Sequence, residues 1–449
     1  MKDSIRYLSL CGMLGYGYSP VSLENALKQE LDFIGVDAGS TDPGPYYLGS
    51  GKGFVKRLQI KRDLSLILKE AKSRGIPLII GSAGGSGAKP HVDNVLEIMT
   101  EIAREQEFPL KAAVIYSDLS TDFMKKAAGH LFSCGGSPEF DPANAEKLCN
   151  PVAQFGTDPI IEGLKTGADV IVSGRCCDTA IFAAFPIWKG FDPGLALHAA
   201  KIAECGALCA RPVGANDSLV VEMHRDFFTV EPPNPARTCT PDSVAAHSLY
   251  EQPDPNCFYE PEGKIDLSAC SFEQIAPRKV KVSGSRLVPA GKKTTKLEGA
   301  VKSGYRSITI AGLRDPSAIR HLDEIEKGVR TAVAESANFV KEGEYSLRFL
   351  RYGLDAVTGA NEPLPAPLPR EVGLVIEAIA PTQDQADALI GLARSKALHQ
   401  GFQDRKATAG NLAFPFSPSD FSGGAVYEFA LYHLTDLPLQ FEPTIKVIE

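Results

Sequence analysis

Residues 168–178 read ADVIVSGRCCD. Val170, Ile171 and Val172 follow one another with no polar residue between them, the mark of a strand buried on both faces. Gly174 and Arg175 end the run, and a helix-like segment opens at Asp178. A two-sided buried strand followed by a turn and a helix is the unit of a parallel α/β sheet.

The same grammar repeats outward. Apolar strands are expected at Ile5–Leu10, Asp32–Asp37, Pro77–Gly81 and Ala112–Tyr116. Helical spacing predicts helices at Ser22–Gln29, Lys61–Arg74, Val92–Glu105, Asp122–Ala128, Pro159–Thr166 and Leu195–Cys209. The expected architecture is α/β, with a mainly parallel sheet in the N-terminal domain over 1–235. The proline-rich VEPPNPARTCTP near 230–241 reads as a crossing to a β-rich linking segment, 236–303. Beyond it, strand Arg306–Ala311, helix Ser317–Ala337, strands Tyr345–Tyr352 and Val372–Ile379, helix Gln383–His399 and strand Ala425–Leu431 follow in the order β-α-β-β-α-β. That order predicts a ferredoxin-like split βαβ, α+β domain over 304–449. The loop EPLPAPLPRE lies inside it.

Composition narrows the function. The chain has 449 residues, 41 of them glycine and 32 proline, with 44% hydrophobic and 23% charged residues, an ordinary globular balance. A net charge of −8 argues against nucleic acid or an anionic membrane as partner. No run reaches the roughly 20 apolar residues of a membrane span, and the N-terminus lacks a signal-peptide cleavage pattern. Ten cysteines without a C-x-x-C pair fit neither a disulfide scaffold nor a zinc ribbon. A cytoplasmic protein is expected.

The glycines gather after strands, as AGSTDPGPYYLGSGKG, SAGGSGAKPH and SGRCCD, on the edge where ligands of open α/β sheets bind. Asp37, Asp42, Arg175 and Asp178 are the catalytic candidates. The aspartates could transfer protons or bond their own loops, and Arg175 could fork onto a carboxylate or simply pair with Asp178. Ser40, Tyr46, Ser82, Gly84, Gly85, Ser86, His91, Glu204 and Cys205 are the substrate-binding candidates. GSAGGSG at 81–87 offers backbone N–H groups to an anion but is no nucleotide fingerprint. Cys176 and Cys177 lack an evident base for thiol catalysis. Cys205 and Cys209 supply only two metal ligands, and no metal or cofactor is expected. The basic stretch Arg278–Lys302 could meet the phosphates of coenzyme A, or serve solubility alone.

Taken together, these motifs make a pattern. Gly174, Arg175, Asp178 and Ala180 match a G-R-x-x-D-x-A turn, and Glu204–Ala207 match a helix-ending E-C-G-A. Ser82–Gly85 stands where N-A-G-G is usual, and Ala276–Arg286 reads APRKVKVSGSR. Over roughly residues 5–310 the chain resembles the acyclic terpene utilisation (AtuA) family, with Cys176, Cys177 and Lys201 as departures. The resemblance implies a bacterial catabolic enzyme of branched acids or acyl-CoA thioesters. It also implies an association with a small ferredoxin-fold domain, fused or separate. The expected activity is that of a lyase or hydratase abstracting a proton next to a carbonyl, with coenzyme A as a substrate moiety. A homo-oligomer is expected. Two other readings remain open, a non-catalytic or regulatory subunit of a heteromeric enzyme with a small ferredoxin-fold partner, and a nucleotide-dependent oxidoreductase.

Overall fold

The computed structural model describes residues 2–214, 216–362 and 367–449. The chain divides into two units, one of Met1–Val301 with Phe429–Glu449, the other of Lys302–Glu428.

The first unit is built on a ten-stranded sheet. From one edge the order is Ser271–Ala276, Lys279–Ser283, Phe227–Glu231, Leu219–Met223, Ile5–Ser9, Phe33–Asp37, Leu78–Gly81, Val170–Ser173, Leu110–Ile115 and Thr444–Ile448. Only the five strands from Ile5–Ser9 to Leu110–Ile115 run parallel to one another. The other five pair antiparallel. The expectation of a mainly parallel sheet is therefore corrected to a parallel centre with antiparallel flanks. Connection length is the reason. Leu219–Met223 and Phe227–Glu231 are joined by residues 224–226 alone, far too few for a parallel crossover.

The parallel strands read as unbroken apolar runs because both of their faces are covered. On one face Ile5, Tyr7, Phe33, Ile79 and Ile171 pack with Ile160, Ile181, Phe182 and Leu197. These come from helices Thr157–Lys165, Asp178–Trp188 and Pro193–Ala203. On the other, Leu8, Ile34, Val36, Ile80 and Val172 pack with Leu64, Leu68, Val95 and Met99 of helices Arg57–Arg74 and Lys89–Glu105. The helix expected over Leu195–Cys209 stops at Ala203, so Glu204 and Cys205 stand on its C-terminal turn. Gly206 follows at φ +60°, the left-handed residue that ends helices.

The proline-rich stretch after Glu231 does not leave this unit. Arg278 Nη1 donates to the carbonyls of Pro232 at 2.9 Å and Asn234 at 2.7 Å, tying it beside the sheet. Residues 236–301 likewise belong to the first unit. Val280 and Val282 are buried with Phe228 and Val230 in its core. Cys257–Glu260, Gly263–Asp266 and Arg286–Pro289 form a separate three-stranded antiparallel sheet.

In the second unit the order of elements is β-α-β-β-α-β, the short helix Pro316–Arg320 preceding Leu322–Ser336. The strands lie in the order Ser346–Tyr352, Val372–Ala380, Thr295–Leu313 and Asp420–Thr435. Along Val372–Ala380 buried and half-buried residues alternate, and Leu374, Ile376 and Ala378 pack with Val329, Val333, Leu389 and Ala393 of the helices. One long helix over Ser317–Ala337 is not formed, since His321 leaves helical geometry between two shorter ones. The first and last of these strands in sequence run longer than expected, through Gly299 and Gly304 and through Gly423 and Gly424. Residues 363–366 of the EPLPAPLPRE loop lie outside the described residues. No helix among the described residues is long and apolar enough to cross a membrane.

Candidate functional site

The glycine-rich loops meet at the carboxyl ends of the parallel strands, and close backbone approach is what their glycines allow. A Cβ on Gly87, whose φ is +68°, would lie 2.2 Å from Arg175 N. A Cβ on Gly39 would lie 2.6 Å from Gly85 Cα. The loops at 37–44, 82–87 and 174–177 are thereby packed on one another. The turn at 174–177 is fixed further, as Ser117 Oγ accepts the Arg175 N–H at 2.7 Å and Phe155 O accepts that of Cys177 at 2.8 Å.

Arg175 is the hub. Its side chain is 4% exposed, and its Nε donates to Glu298 Oε2 at 2.9 Å. Nη1 reaches Ser82 Oγ at 3.3 Å and Cys176 O at 3.2 Å, with Asp178 Oδ1 at 3.5 Å. Nη2 has no partner among the described residues. The ion pair with Asp178 therefore exists, but the stronger fork goes to Glu298. Glu298 is fully buried and also accepts from Lys296 Nζ at 2.8 Å and Thr41 Oγ1 at 3.0 Å. Burial opposes its charge, yet Arg175 and Lys296 prevail and hold its carboxyl near 2.

Around this hub stand carboxyls of the opposite tendency. Asp37, at a strand end, accepts the Gly39 N–H at 3.2 Å. Burial and the nearby charge of Asp178 push it well above the ordinary carboxylate range. Asp178 itself is raised by burial, which Arg175 and Lys201 offset only in part. Its Oδ1 is buried without a hydrogen bond among the described residues, while a third of the side chain is exposed. Glu204 accepts from Lys201 Nζ at 2.6 Å, and burial still pushes it to about 8. Lys201 is held protonated by Glu204 against its own burial. Carboxyls raised in this way, next to two fixed cations, hold their protons to higher pH than ordinary carboxylates do.

The remaining candidates divide. Ser82 joins the hub, accepting from Arg175 while donating to Cys176 O. Ser86 lies buried in the same loop with no hydrogen-bond partner for Oγ among the described residues. Cys205 follows Glu204, its thiol raised by burial and by that carboxyl. Asp42 and Ser40 bond each other at 2.9 Å, with Asp42 exposed, although its charge is felt at Asp178. Tyr46 stacks edge-on against Tyr47. His91 is turned away, its Nε2 bonded to Lys52 O at 3.0 Å. Gly84 lies against His91 and Gly85 against Phe54.

Lys201, Glu260 and Glu298 escaped sequence reasoning as site residues. Lys201 had a signal, its i,i+3 spacing to Glu204. Glu260 and Glu298 had none, since both arrive from strands remote in sequence. Much of the basic stretch is neutralised in place. Lys279 pairs with Glu231, Lys281 with Glu273, and Lys292 with Asp436. Cys176 Sγ accepts from Ser173 Oγ at 3.2 Å, and burial raises its thiol to about 11. His198 lies between Ser285 Oγ and Ser248 Oγ at 2.8 and 2.9 Å. No group of three or more metal-ligating side chains gathers among the described residues.

A family model described as "Acyclic terpene utilisation family protein AtuA" matches residues 48–413. Arg175, Asp178, Lys201, Glu204, Glu260 and Glu298 all fall inside that range, while Asp37 precedes it. No curated protein matches the chain, and no solved structure matches it.

Proposed function

The chain belongs to the acyclic terpene utilisation family, the match spanning more than three-quarters of its length, and on that premise we propose that it is a catabolic lyase or hydratase. Its substrate would be a small branched carboxylate or the corresponding acyl-CoA thioester, such as the breakdown of acyclic terpenes generates. The reaction would begin with removal of a proton from the carbon next to the carbonyl.

One observation carries the reading, the raised carboxyls Asp37 and Asp178 set beside Arg175 at the carboxyl ends of parallel strands. The chemistry needs a base that is ionised yet strong enough to take a weakly acidic proton, and burial supplies that strength. It also needs fixed positive charge where the enolate oxygen develops. Arg175 Nη2 is uncommitted and Lys201 is held protonated, so both can serve. Asp178, partly exposed, is the better placed base, and burial with the charges of Asp42 and Glu298 keeps its affinity for protons high. Ser82 and Ser86 would complete the carboxylate contacts.

Turnover of the variants Arg175→Ala and Asp178→Asn, each checked for folding by circular dichroism, tests this. Each should lose about a hundredfold or more in kcat. Wild-type turnover in both would refute the proposal.

A further inference from the structure

The base at Asp178 has a neighbour whose place in the fold gives it a second role. Glu260 ends the strand Cys257–Glu260 of the small antiparallel sheet. Its Oε2 accepts from Cys177 Sγ at 2.8 Å and from Thr179 Oγ1 at 2.7 Å. Those two donors flank Asp178 in sequence, so the first turn of helix Asp178–Trp188 holds two carboxyls, one of its own and one from 82 residues away. Oε1 of Glu260 makes no hydrogen bond among the described residues.

A cleft of about 670 Å³ is lined by Phe155, Thr157, Pro261, Glu262, Lys293 and Phe441 among others. Its wall is continuous with the catalytic turn. Phe155 N donates to Arg175 O, and Phe155 O accepts from Cys177 N. Pro261 and Glu262 directly follow Glu260, and Glu262 Oε1 accepts from Thr157 N and Oγ1, both at 2.7 Å.

We propose that Glu260 is the acid partner of Asp178, protonating the hydroxyl that leaves the carbon beyond the one deprotonated. This rests on the lyase reading above. The step balances without any further reactant. Asp178 takes the proton next to the carbonyl, and the C–H electron pair passes into the enolate. That pair then forms the carbon–carbon double bond as the C–O bond of the neighbouring hydroxyl breaks, and the Glu260 proton leaves with the oxygen as water. Hydration is the same path reversed. Thr179 and Cys177 hold the carboxyl by one oxygen, leaving the other for the hydroxyl.

The groups facing Glu260 favour retention of its proton. Burial raises it to about 7; Cys177, Thr179 and Lys201 resist that, and Glu262 adds to it. The charge of Glu260 in turn raises the hold of Glu204 on its proton. Turnover by elimination should therefore fall as the pH rises past about 7.

The test uses the full chain, with 3-hydroxy-3-methylbutanoate and its coenzyme A thioester as probes, and separates the two steps. Glu260→Gln should lose about a hundredfold in water elimination, lose the alkaline fall in its rate profile, and still exchange the proton next to the carbonyl with solvent. Asp178→Asn should lose exchange and elimination together. Independently of any substrate, ¹³C NMR of chain labelled at glutamate carboxyls should show a group titrating near 7 that is missing from Glu260→Gln. Unchanged elimination in Glu260→Gln, or no such titrating signal, overturns the assignment of Glu260. Absence of exchange in the wild type with the NMR signal present overturns the lyase reading, and with it the acid role.

Discussion

Replacing Glu298 with Gln puts the hub of the site to a quantitative test. The carboxylate is fully buried and neutralises both Arg175 and Lys296. Its carboxyl moves from the ordinary 4.5 to about 2 on folding, which corresponds to about 3 kcal/mol of stability near neutral pH. Breaking a buried pair by removing one partner typically costs about 3–5 kcal/mol, since the other charge stays buried. The two routes agree, so Glu298→Gln should lower the unfolding free energy of the first unit by about 3 kcal/mol. The pH dependence has a definite sign. A depressed folded-state value stabilises above the unfolded value of 4.5 and is lost as pH falls through about 2. Urea unfolding followed by tryptophan fluorescence, through Trp188, at pH 7, 4.5 and 3 measures the gap between wild type and variant. By pH 3 the gap should shrink to about half. A loss below about 1 kcal/mol at pH 7, or a gap independent of pH, would refute the argument. Turnover should fall as well, because Arg175 loses the partner that fixes its Nε.

Three further outcomes follow from the same geometry. Gly87→Ala places a Cβ 2.2 Å from Arg175 N at a φ of +68°, so it should cost about 1–3 kcal/mol, read by urea titration, and displace the arginine. Cys176, its thiol raised to about 11 by burial, should resist iodoacetamide at pH 7 until the chain is unfolded, as mass spectrometry would record, and Cys176→Ala should keep turnover. Buried His198 is held neutral, with its value lowered from 6.5 to about 3. Its contribution is present above pH 6.5 and lost as pH falls towards 3, so His198→Gln should flatten the decline in stability across that window.

How much of this was legible in the sequence depends on where each signal resides. The parallel strands were, because ADVIVS and DFIGVD must be apolar on two faces. The element order of the second unit was too, since Ile325, Val329 and Val333 and the cap Thr382 mark helices locally. The antiparallel flank was not, because the prolines after Glu231 look like a linker until Arg278 is seen to bind their carbonyls. The return of Phe429–Glu449 to the first unit was equally hidden, resting on pairing between Thr444–Ile448 and Leu110–Ile115 more than 300 residues apart. Within the site, Arg175 and Asp178 stood out through a strand–turn–helix motif. Glu298 and Glu260 did not, for a lone glutamate on a strand carries no mark of the cation or thiol it will meet. The glycines were rightly placed at one sheet edge, yet Gly39, Gly85 and Gly87 serve loop-on-loop packing there.

On the proposed reading Asp178, beside Arg175, removes a proton next to a carbonyl. Proton NMR of 3-hydroxy-3-methylbutanoate and its coenzyme A thioester, incubated with the chain in deuterium oxide, follows that proton. Loss of the signal from the carbon next to the carbonyl with wild type, and its persistence with Asp178→Asn and Arg175→Ala, is the result expected. Persistence with the wild type, or equal loss with Asp178→Asn, would contradict it.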